Sequence, residues 1–128
     1  IHGTPKTFNT DFAEGNILDS VTSFLREKID LALDAGVKRH NIITDPGVGF
    51  GTTHDQSMEI IRNSSLFGFN EYPVLIGPSR KRFLSKWYPD MERDVATAEV
   101  CRIASDNGAD IVRVHNVNEV LGRLLQTF

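Results

Sequence analysis

The segment NIITDPG, residues 41–47, contains the pattern that decides the fold of this chain. A short segment over 41–44, with the apolar pair Ile42 and Ile43 at its centre, is followed at once by an acidic residue, Asp45, and by the turn-forming pair Pro46-Gly47. Such a segment is typical of a buried strand in a parallel sheet, which ends in a loop that carries polar side chains. The segment therefore predicts a strand over 41–44 with Asp45 at its carboxyl end.

Helical patterns flank this strand on both sides. Before the strand, apolar residues recur at helical spacing from Ile17 to Leu33, and Gly36 is the predicted stop. After the strand, THDQ at 53–56 is a capping-box pattern, which predicts the start of a second helix. The alternation of short apolar runs with periodic segments is the pattern of a βα unit.

The same unit recurs toward the carboxyl terminus. YPVLI at 72–76 predicts a strand with its proline at the start that closes on Gly77, and ADIVRV at 109–114 predicts another strand. The cap signals of the two remaining helices are Asp94 with Asn107 and Gly108 for the first, and Asn116 with Glu119 for the second. At the opposite end of the chain, residues 1–3 resemble the tail of one more strand.

The predicted fold class is α/β. Four βα units at a spacing of roughly 30 to 40 residues match half of a (β/α)₈ barrel, which has about 250 residues. We therefore expect residues 1–128 to be the C-terminal half of such a barrel, a TIM barrel, without its N-terminal half. An open four-stranded α/β sheet is the alternative, because periodicity alone does not distinguish the two.

Composition excludes several classes of function. The chain has 40% hydrophobic and 24% charged residues, which is typical of a soluble globular protein. A net charge of −3 lacks the basic excess of a nucleic-acid-binding protein. Its apolar stretches are far shorter than the ~20 residues that span a bilayer, so no membrane partner is expected. The single cysteine, Cys101, excludes an internal disulfide and suits a reducing compartment, so we predict a cytoplasmic location.

Polar residues follow each predicted strand at the point where the strand ends. They are His2 after the first, Asp45 after the second, Ser79, Arg80 and Lys81 after the third, and Arg113 and His115 at the fourth. The carboxyl ends of parallel barrel strands share one rim, where active sites lie, so these residues predict a site. Each also has a purely structural interpretation: a turn at Asp45, a solvated basic patch at 80–82, and a salt bridge for Arg113 and His115.

Three motifs together resemble one enzyme family. DPGVGFG at 45–51, GPSRKRF at 77–83 and RVHNV at 113–117 are similar, in order and spacing, to three successive motifs of dihydropteroate synthases. The Arg-Asp-x-Ala-Thr run at 93–97 and the opening HGTP at 2–5 are similar to further family segments. The resemblance covers essentially all 128 residues.

The resemblance implies an enzyme of folate biosynthesis. It would condense 6-hydroxymethyl-7,8-dihydropterin diphosphate with para-aminobenzoate, giving 7,8-dihydropteroate and diphosphate with the help of Mg²⁺. The implied pterin contacts are Asp45, Lys81 and Arg113; the aminobenzoate contacts are Phe50 and Ser79; the diphosphate contacts are Arg113, His115 and Asn116; and the catalytic residues are Lys81, Arg113 and His115. None of these is a metal ligand, and the main protein ligand of Mg²⁺ is expected in the missing N-terminal half.

Further expectations concern assembly, and alternatives stay open. The parent enzyme is expected to be a homodimer that binds only small-molecule substrates, and the isolated fragment is expected to be inactive and to associate through its uncovered strand edges. One alternative is a pterin-binding methyltransferase, although the motifs at 77–83 and 113–117 argue against it. The others are a non-catalytic folded binding module and a generic phosphate-binding half-barrel, which would make no demand on Asp45.

Overall fold

The computed structural model describes residues 16–49, 52–78, 84 and 87–125, and its elements alternate between helix and strand. The helices are α1 (Ile17–Asp34), α2 (His54–Arg62), α3 (Arg93–Asp106) and α4 (Val117–Leu125), the strands are β1 (Leu75–Ile76) and β2 (Ile111–Val112), and the 3₁₀ turns are Arg39–Asn41 and Ser64–Gly68. None of these helices combines the length and the apolar character needed to cross a membrane.

Three parallel segments form the sheet. β1 pairs in parallel with β2, with Ile76 opposite Val112. On the other side of β1, Thr44 forms an isolated parallel bridge with Val74, and the N–H of Leu75 donates to the carbonyl oxygen of Thr44 at 2.8 Å. The α/β class is therefore confirmed, and the chain order of the three segments is also their order in space.

The strands are shorter than the sequence predicts. Of the predicted strand over 41–44, Asn41 lies in the 3₁₀ turn Arg39–Asn41, and only Thr44 forms a bridge. The predicted strands over 72–76 and 109–114 are reduced to β1 and β2. A residue is part of a strand only where its backbone pairs with a neighbouring strand. Among the described residues, Thr44 has such a neighbour on one side only.

Side-chain caps fix most helix starts where the sequence predicts them. Thr53 and Gln56 form the predicted capping box, in which the N–H of Gln56 donates to Oγ1 of Thr53 at 3.1 Å and the N–H of Thr53 donates to Oε1 of Gln56 at 2.8 Å. Asn116 caps α4 by accepting from the N–H of Glu119 at 3.1 Å. The Glu119 carboxylate accepts from Nε of Arg123 instead of completing a second box.

The cap of α3 differs from the prediction. Glu92, not Asp94, is the N-cap residue, and its Oε2 accepts from the N–H groups of Asp94 at 3.0 Å and Val95 at 3.2 Å. Asp94 is buried within the first turn of α3. Both carboxylates lie at the positive end of the helix dipole, so the sequence pattern alone does not distinguish them.

The helices cover one face of the sheet. The main core joins α1, α2 and α3 to the strands and contains Phe67 and Ile76, both with no exposed surface. A second cluster joins α3 to α4 around Cys101 and Val120, with Val112 packed against it. Burial of one large apolar side chain contributes about 1.5–3 kcal/mol, so this helical layer supplies most of the hydrophobic stabilisation.

The opposite face of the sheet is open. Side chains alternate across a strand, so the buried Thr44 and Ile76 belong to the helix-covered face, and their neighbours along the chain point away from it. On that second face Ile43 is 53% exposed and Ile111 is 36% exposed. Two large apolar side chains are therefore exposed on a face whose reverse side is fully packed.

Candidate active site at the carboxyl ends of the strands

Asp45 lies at the end of the first parallel segment, directly after the bridged residue Thr44. Its side chain is exposed, and its Oδ1 accepts from the N–H of Gly47 at 2.9 Å. Gly47 has a φ of 76°, a conformation that favours glycine, so the local interpretation of this motif as a turn is confirmed. The turn uses one acceptor position of the carboxylate, which has several more for a ligand.

Arg113 lies at the end of the third segment. Its N–H donates to the carbonyl oxygen of Ile76 at 3.0 Å, which extends the parallel pairing one residue beyond β2. The guanidinium lies against Gly77, the first residue after β1, while the residue as a whole is exposed. Arg113 forms no ion pair with any described carboxylate, so the salt-bridge interpretation of this residue is not supported.

His115 and Asn116 connect this strand end to α4. Both residues are exposed, and Asn116 is the cap of the helix. A helix start presents N–H groups and the positive end of the helix dipole, which together favour an anion. The guanidinium and the helix start thus lie within four residues of each other in the chain.

The parallel register brings Asp45 and Arg113 to the same end of the sheet, the carboxyl end of its strands. Thr44 lies opposite Val74, and Val112 lies opposite Ile76, so both residues follow the last paired position of their segments. By strand alternation both also belong to the open face. The five remaining residues of the predicted site lie outside the described residues: His2, Phe50, Ser79, Arg80 and Lys81.

A groove runs beside the free edge of the first segment. It has a volume of about 410 Å³ and lies between α1 and residues 41–45. Leu25 and Ile29 of α1 line one wall, and Ile43 and Asp45 line the other. The groove therefore borders both the edge of Thr44 that faces away from β1 and the predicted site.

Two contacts near the site are not predicted by the sequence. In the segment that follows β1, Leu84 is buried and Trp87 is 37% exposed. Nε1 of Trp87 donates to the carbonyl oxygen of His54 at 3.3 Å, which ties the segment after β1 to the start of α2. The other contact is the approach of Arg113 to Gly77, for which the glycine of the GPSRKRF motif was the only available signal.

Two of the described titratable groups have displaced pKa values and pack in the helical layer. Burial raises the pKa of the Cys101 thiol to about 12. Burial also raises the pKa of the Tyr88 hydroxyl, and the Glu99 carboxylate adds to that rise. Within the part of the chain that the structure describes, no three His, Cys, Asp or Glu side chains converge in a way that would hold a metal ion.

Known proteins are similar to this chain in both sequence and fold. Residues 1–115 match the family model described as "Pterin binding enzyme". A dihydropteroate synthase of Synechocystis sp. is 38% identical over 120 residues, covering 91% of this chain and 42% of the relative. The Bacillus subtilis dihydropteroate synthase is 36% identical over 107 residues, covering 82% of this chain and 38% of the relative.

Solved structures agree with these matches. The dihydropteroate synthase of Stenotrophomonas maltophilia superimposes with a TM-score of 0.88 at 32% identity, covering 99% of this chain and 49% of that one. The Xanthomonas albilineans enzyme in complex with 7,8-dihydropteroate gives a TM-score of 0.82 at 26% identity, covering 89% of this chain and 45% of that one. The chain spans less than half the length of each of these proteins, and it belongs to the family of pterin-binding enzymes.

Proposed function

We propose that the chain supplies the second half of a (β/α)₈ barrel that acts as a dihydropteroate synthase. The relatives named above carry that name, and the chain matches 42% and 38% of the length of two of them. One observation carries the proposal: Asp45 and Arg113, from two of the three family motifs, lie at the carboxyl end and on one face of the parallel sheet.

The open face and the groove support a half-barrel. In a closed barrel, inward side chains fill the interior in layers, and Ile43 and Ile111 are large branched residues suited to that position. The groove between α1 and residues 41–45 lies where a preceding parallel strand would pair with Thr44. Residues 1–128 are then the C-terminal part of one domain, and an N-terminal half would cover the open face.

Asp45 binds the pterin in this proposal. A pterin presents a 2-amino group and a ring N–H side by side, and an ionised carboxylate accepts from both. The Asx turn with Gly47 supports this role because it fixes the carboxylate at the strand end. Lys81, which follows β1 in the chain, donates to a pterin ring acceptor.

Arg113, His115 and Asn116 bind the diphosphate. The guanidinium of Arg113 is planar, so it can stack on the pterin ring while its edge faces the leaving group, a combination that lysine would not provide. The start of α4 at Asn116 supplies N–H groups to the same anion. Phe50 and Ser79 contact 4-aminobenzoate, the first through apolar packing and the second through its hydroxyl.

The reaction is a displacement at the pterin methylene carbon. The lone pair of the arylamine nitrogen forms the new C–N bond as the C–O bond to diphosphate breaks, and the nitrogen then loses a proton to solvent. A neutral arylamine is already nucleophilic, so the residues act by positioning two substrates and stabilising the charge on the departing diphosphate. Lys81, Arg113 and His115 are the groups that we assign to this stabilisation.

The proposal extends to the metal, the assembly and the location of the enzyme. Mg²⁺ would neutralise diphosphate charge when bound, and we assign its main protein ligand to the N-terminal half, as the family resemblance implies. Val117 and Leu121, 60% and 49% exposed on α4, support a homodimer built on the final helices. The buried, unpaired thiol of Cys101 is compatible with the cytoplasm.

The proposal is tested by completing the barrel. The part of the Bacillus subtilis relative that precedes the matched region is fused to residues 1–128, a protein called here the completed barrel. We expect dihydropteroate from pterin diphosphate and 4-aminobenzoate in the completed barrel and none from residues 1–128 alone. A folded completed barrel that binds pterin without turnover would support the binding-module alternative, and one that binds neither substrate would contradict the proposal.

A further inference from the structure

Gly77 is a position where a guanidinium occupies the space in which a side chain would otherwise begin. A Cβ atom placed on Gly77 would lie 2.8 Å from Nη2 of Arg113 and 3.3 Å from both its Cζ and its Nε. Real Cβ atoms essentially never approach another heavy atom more closely than 3.0 Å. Any residue other than glycine therefore displaces the guanidinium from its present position.

The backbone does not explain the glycine at this position. Gly36, Gly47, Gly49 and Gly108 all have a positive φ, but Gly77 does not. An L-residue is therefore compatible with the backbone conformation of Gly77. The close approach of Arg113 is the feature that requires the missing Cβ.

The main chain on both sides of this contact is fixed. The N–H of Arg113 donates to the carbonyl oxygen of Ile76, the residue before Gly77, at 3.0 Å. Ile76 has no exposed surface and belongs to the main core. Since neither backbone moves easily, the guanidinium is the part that would shift if Gly77 gained a side chain.

We propose that Gly77 is a positioning residue that lets the guanidinium of Arg113 lie against the backbone at the end of β1, with its outer side toward the substrate. The geometry is independent of the reaction, and only the kinetic consequence rests on the proposed function. A displaced guanidinium loses the alignment needed both to stack on a ring and to face an anion. Misplacement by about 1 Å costs up to about 100-fold in rate.

Gly122 provides a matched control for the substitution to alanine. It lies on the exposed surface of α4, has no positive φ, and a Cβ there would meet nothing within 4 Å. Gly77→Ala should leave the fold intact, because the obstructing atoms are the far end of a flexible side chain. Gly122→Ala should leave both the fold and Arg113 unchanged.

The first experiment follows the guanidinium itself in residues 1–128. The Nε–Hε resonance of Arg113, assigned by its loss in Arg113→Lys, is recorded by NMR in the parent chain, Gly77→Ala and Gly122→Ala. We expect it to shift in Gly77→Ala only, with the backbone spectrum otherwise preserved. An unchanged resonance in Gly77→Ala, or an equal shift in both variants, would overturn the inference without touching the proposed function.

The second experiment asks whether Gly77 acts through Arg113 in the completed barrel. Gly77→Ala should raise the KM for pterin diphosphate by about 10-fold or more, leave the KM for 4-aminobenzoate within about 2-fold, and add nothing further in an Arg113→Ala background. Equal, additive losses in both backgrounds would overturn the inference. If Arg113→Ala itself leaves the KM for pterin diphosphate unchanged, the proposed role of Arg113 is wrong, and the NMR result decides the positioning claim alone.

Discussion

The two faces of the same short sheet differ in how far their apolar side chains are buried. On the helix-covered face Ile76 has no exposed surface, and on the open face Ile43 is 53% exposed, although both are isoleucines on neighbouring parallel segments. The helices that cover the first face belong to the described chain, and the sequence periodicity predicts them. The open face carries the candidate site and, in our proposal, is covered by the N-terminal half of the barrel.

Alanine at these two isoleucines gives the largest expected difference. Ile76→Ala should lower the free energy of unfolding by about 2–5 kcal/mol because it leaves a cavity in the main core. Ile43→Ala should change it by about 0.5 kcal/mol or less in residues 1–128, because that side chain is already half exposed. Urea denaturation of both variants measures the two effects.

The completed barrel tests whether the open face around Ile43 is covered by an N-terminal half. There Ile43 faces a filled interior in our proposal, so Ile43→Ala should cost about 2 kcal/mol or more. If Ile43→Ala costs equally little in both proteins, the open face is not covered by an N-terminal half. The difference between the two faces would then be intrinsic to this chain.

Two glycines in the helical layer give a smaller pair of effects. Gly36 and Gly108 both have a φ of 99°, but a Cβ on Gly36 would meet nothing, whereas a Cβ on Gly108 would lie 2.5 Å from Cβ of Ser65. Gly36→Ala should cost about 1–2 kcal/mol from backbone strain alone. Gly108→Ala should cost more than Gly36→Ala in thermal or urea unfolding, and equal costs would show that the segment around Ser65 moves freely.

The capping box of α2 gives a third, smaller effect. Thr53→Ala removes an acceptor for the N–H of Gln56 at the helix start and should lower stability by about 1 kcal/mol. Gln56→Ala, which removes the reciprocal bond to the N–H of Thr53, is the matched variant and should cost less than Thr53→Ala. Urea midpoints that do not change for either variant would show that α2 is held by packing alone.

The buried thiol of Cys101 predicts an effect that is absent at neutral pH. Its pKa is raised by burial from 9.0 to about 12, so between those values the unfolded chain has lost the proton and the folded chain has kept it. Stability should therefore fall as the pH rises above about 9, with no contribution from this group below that pH. Cys101→Ala should remove this part of the alkaline slope in urea titrations, and an identical slope in that variant would contradict it.

The sequence predicts the helical layer better than the strands, and the reason is physical. Helix starts depend on local bonds such as those of Thr53 and Asn116, which are visible as residue types at fixed spacing. Strand length depends on partners distant in the chain, which is why the strand predicted over 41–44 is reduced to a bridge at Thr44. At α3 the sequence offers two carboxylates near the helix start, and the structure shows that Glu92 rather than Asp94 accepts the capping hydrogen bonds.

The candidate site was predicted in the same uneven way. The placement of Asp45 and Arg113 at strand ends follows from the βα pattern and is confirmed, while their roles toward substrates stay predictions. The contact between Arg113 and Gly77 depends on the register of β1 against β2, which no local pattern specifies. Phe50, Ser79 and Lys81 lie outside the described residues, so their part of the site stays a prediction.

The central claim is that Asp45, at the open strand end, binds the pterin. Calorimetric titration of the completed barrel with a pterin diphosphate analogue tests it most directly, with Asp34→Asn, an exposed substitution at the end of α1, as the control. Asp45→Asn should weaken binding by about 10- to 100-fold, because one acceptor oxygen becomes a donor and leaves a ligand N–H unpaired. Equal affinity in the parent protein and in Asp45→Asn would contradict the claim.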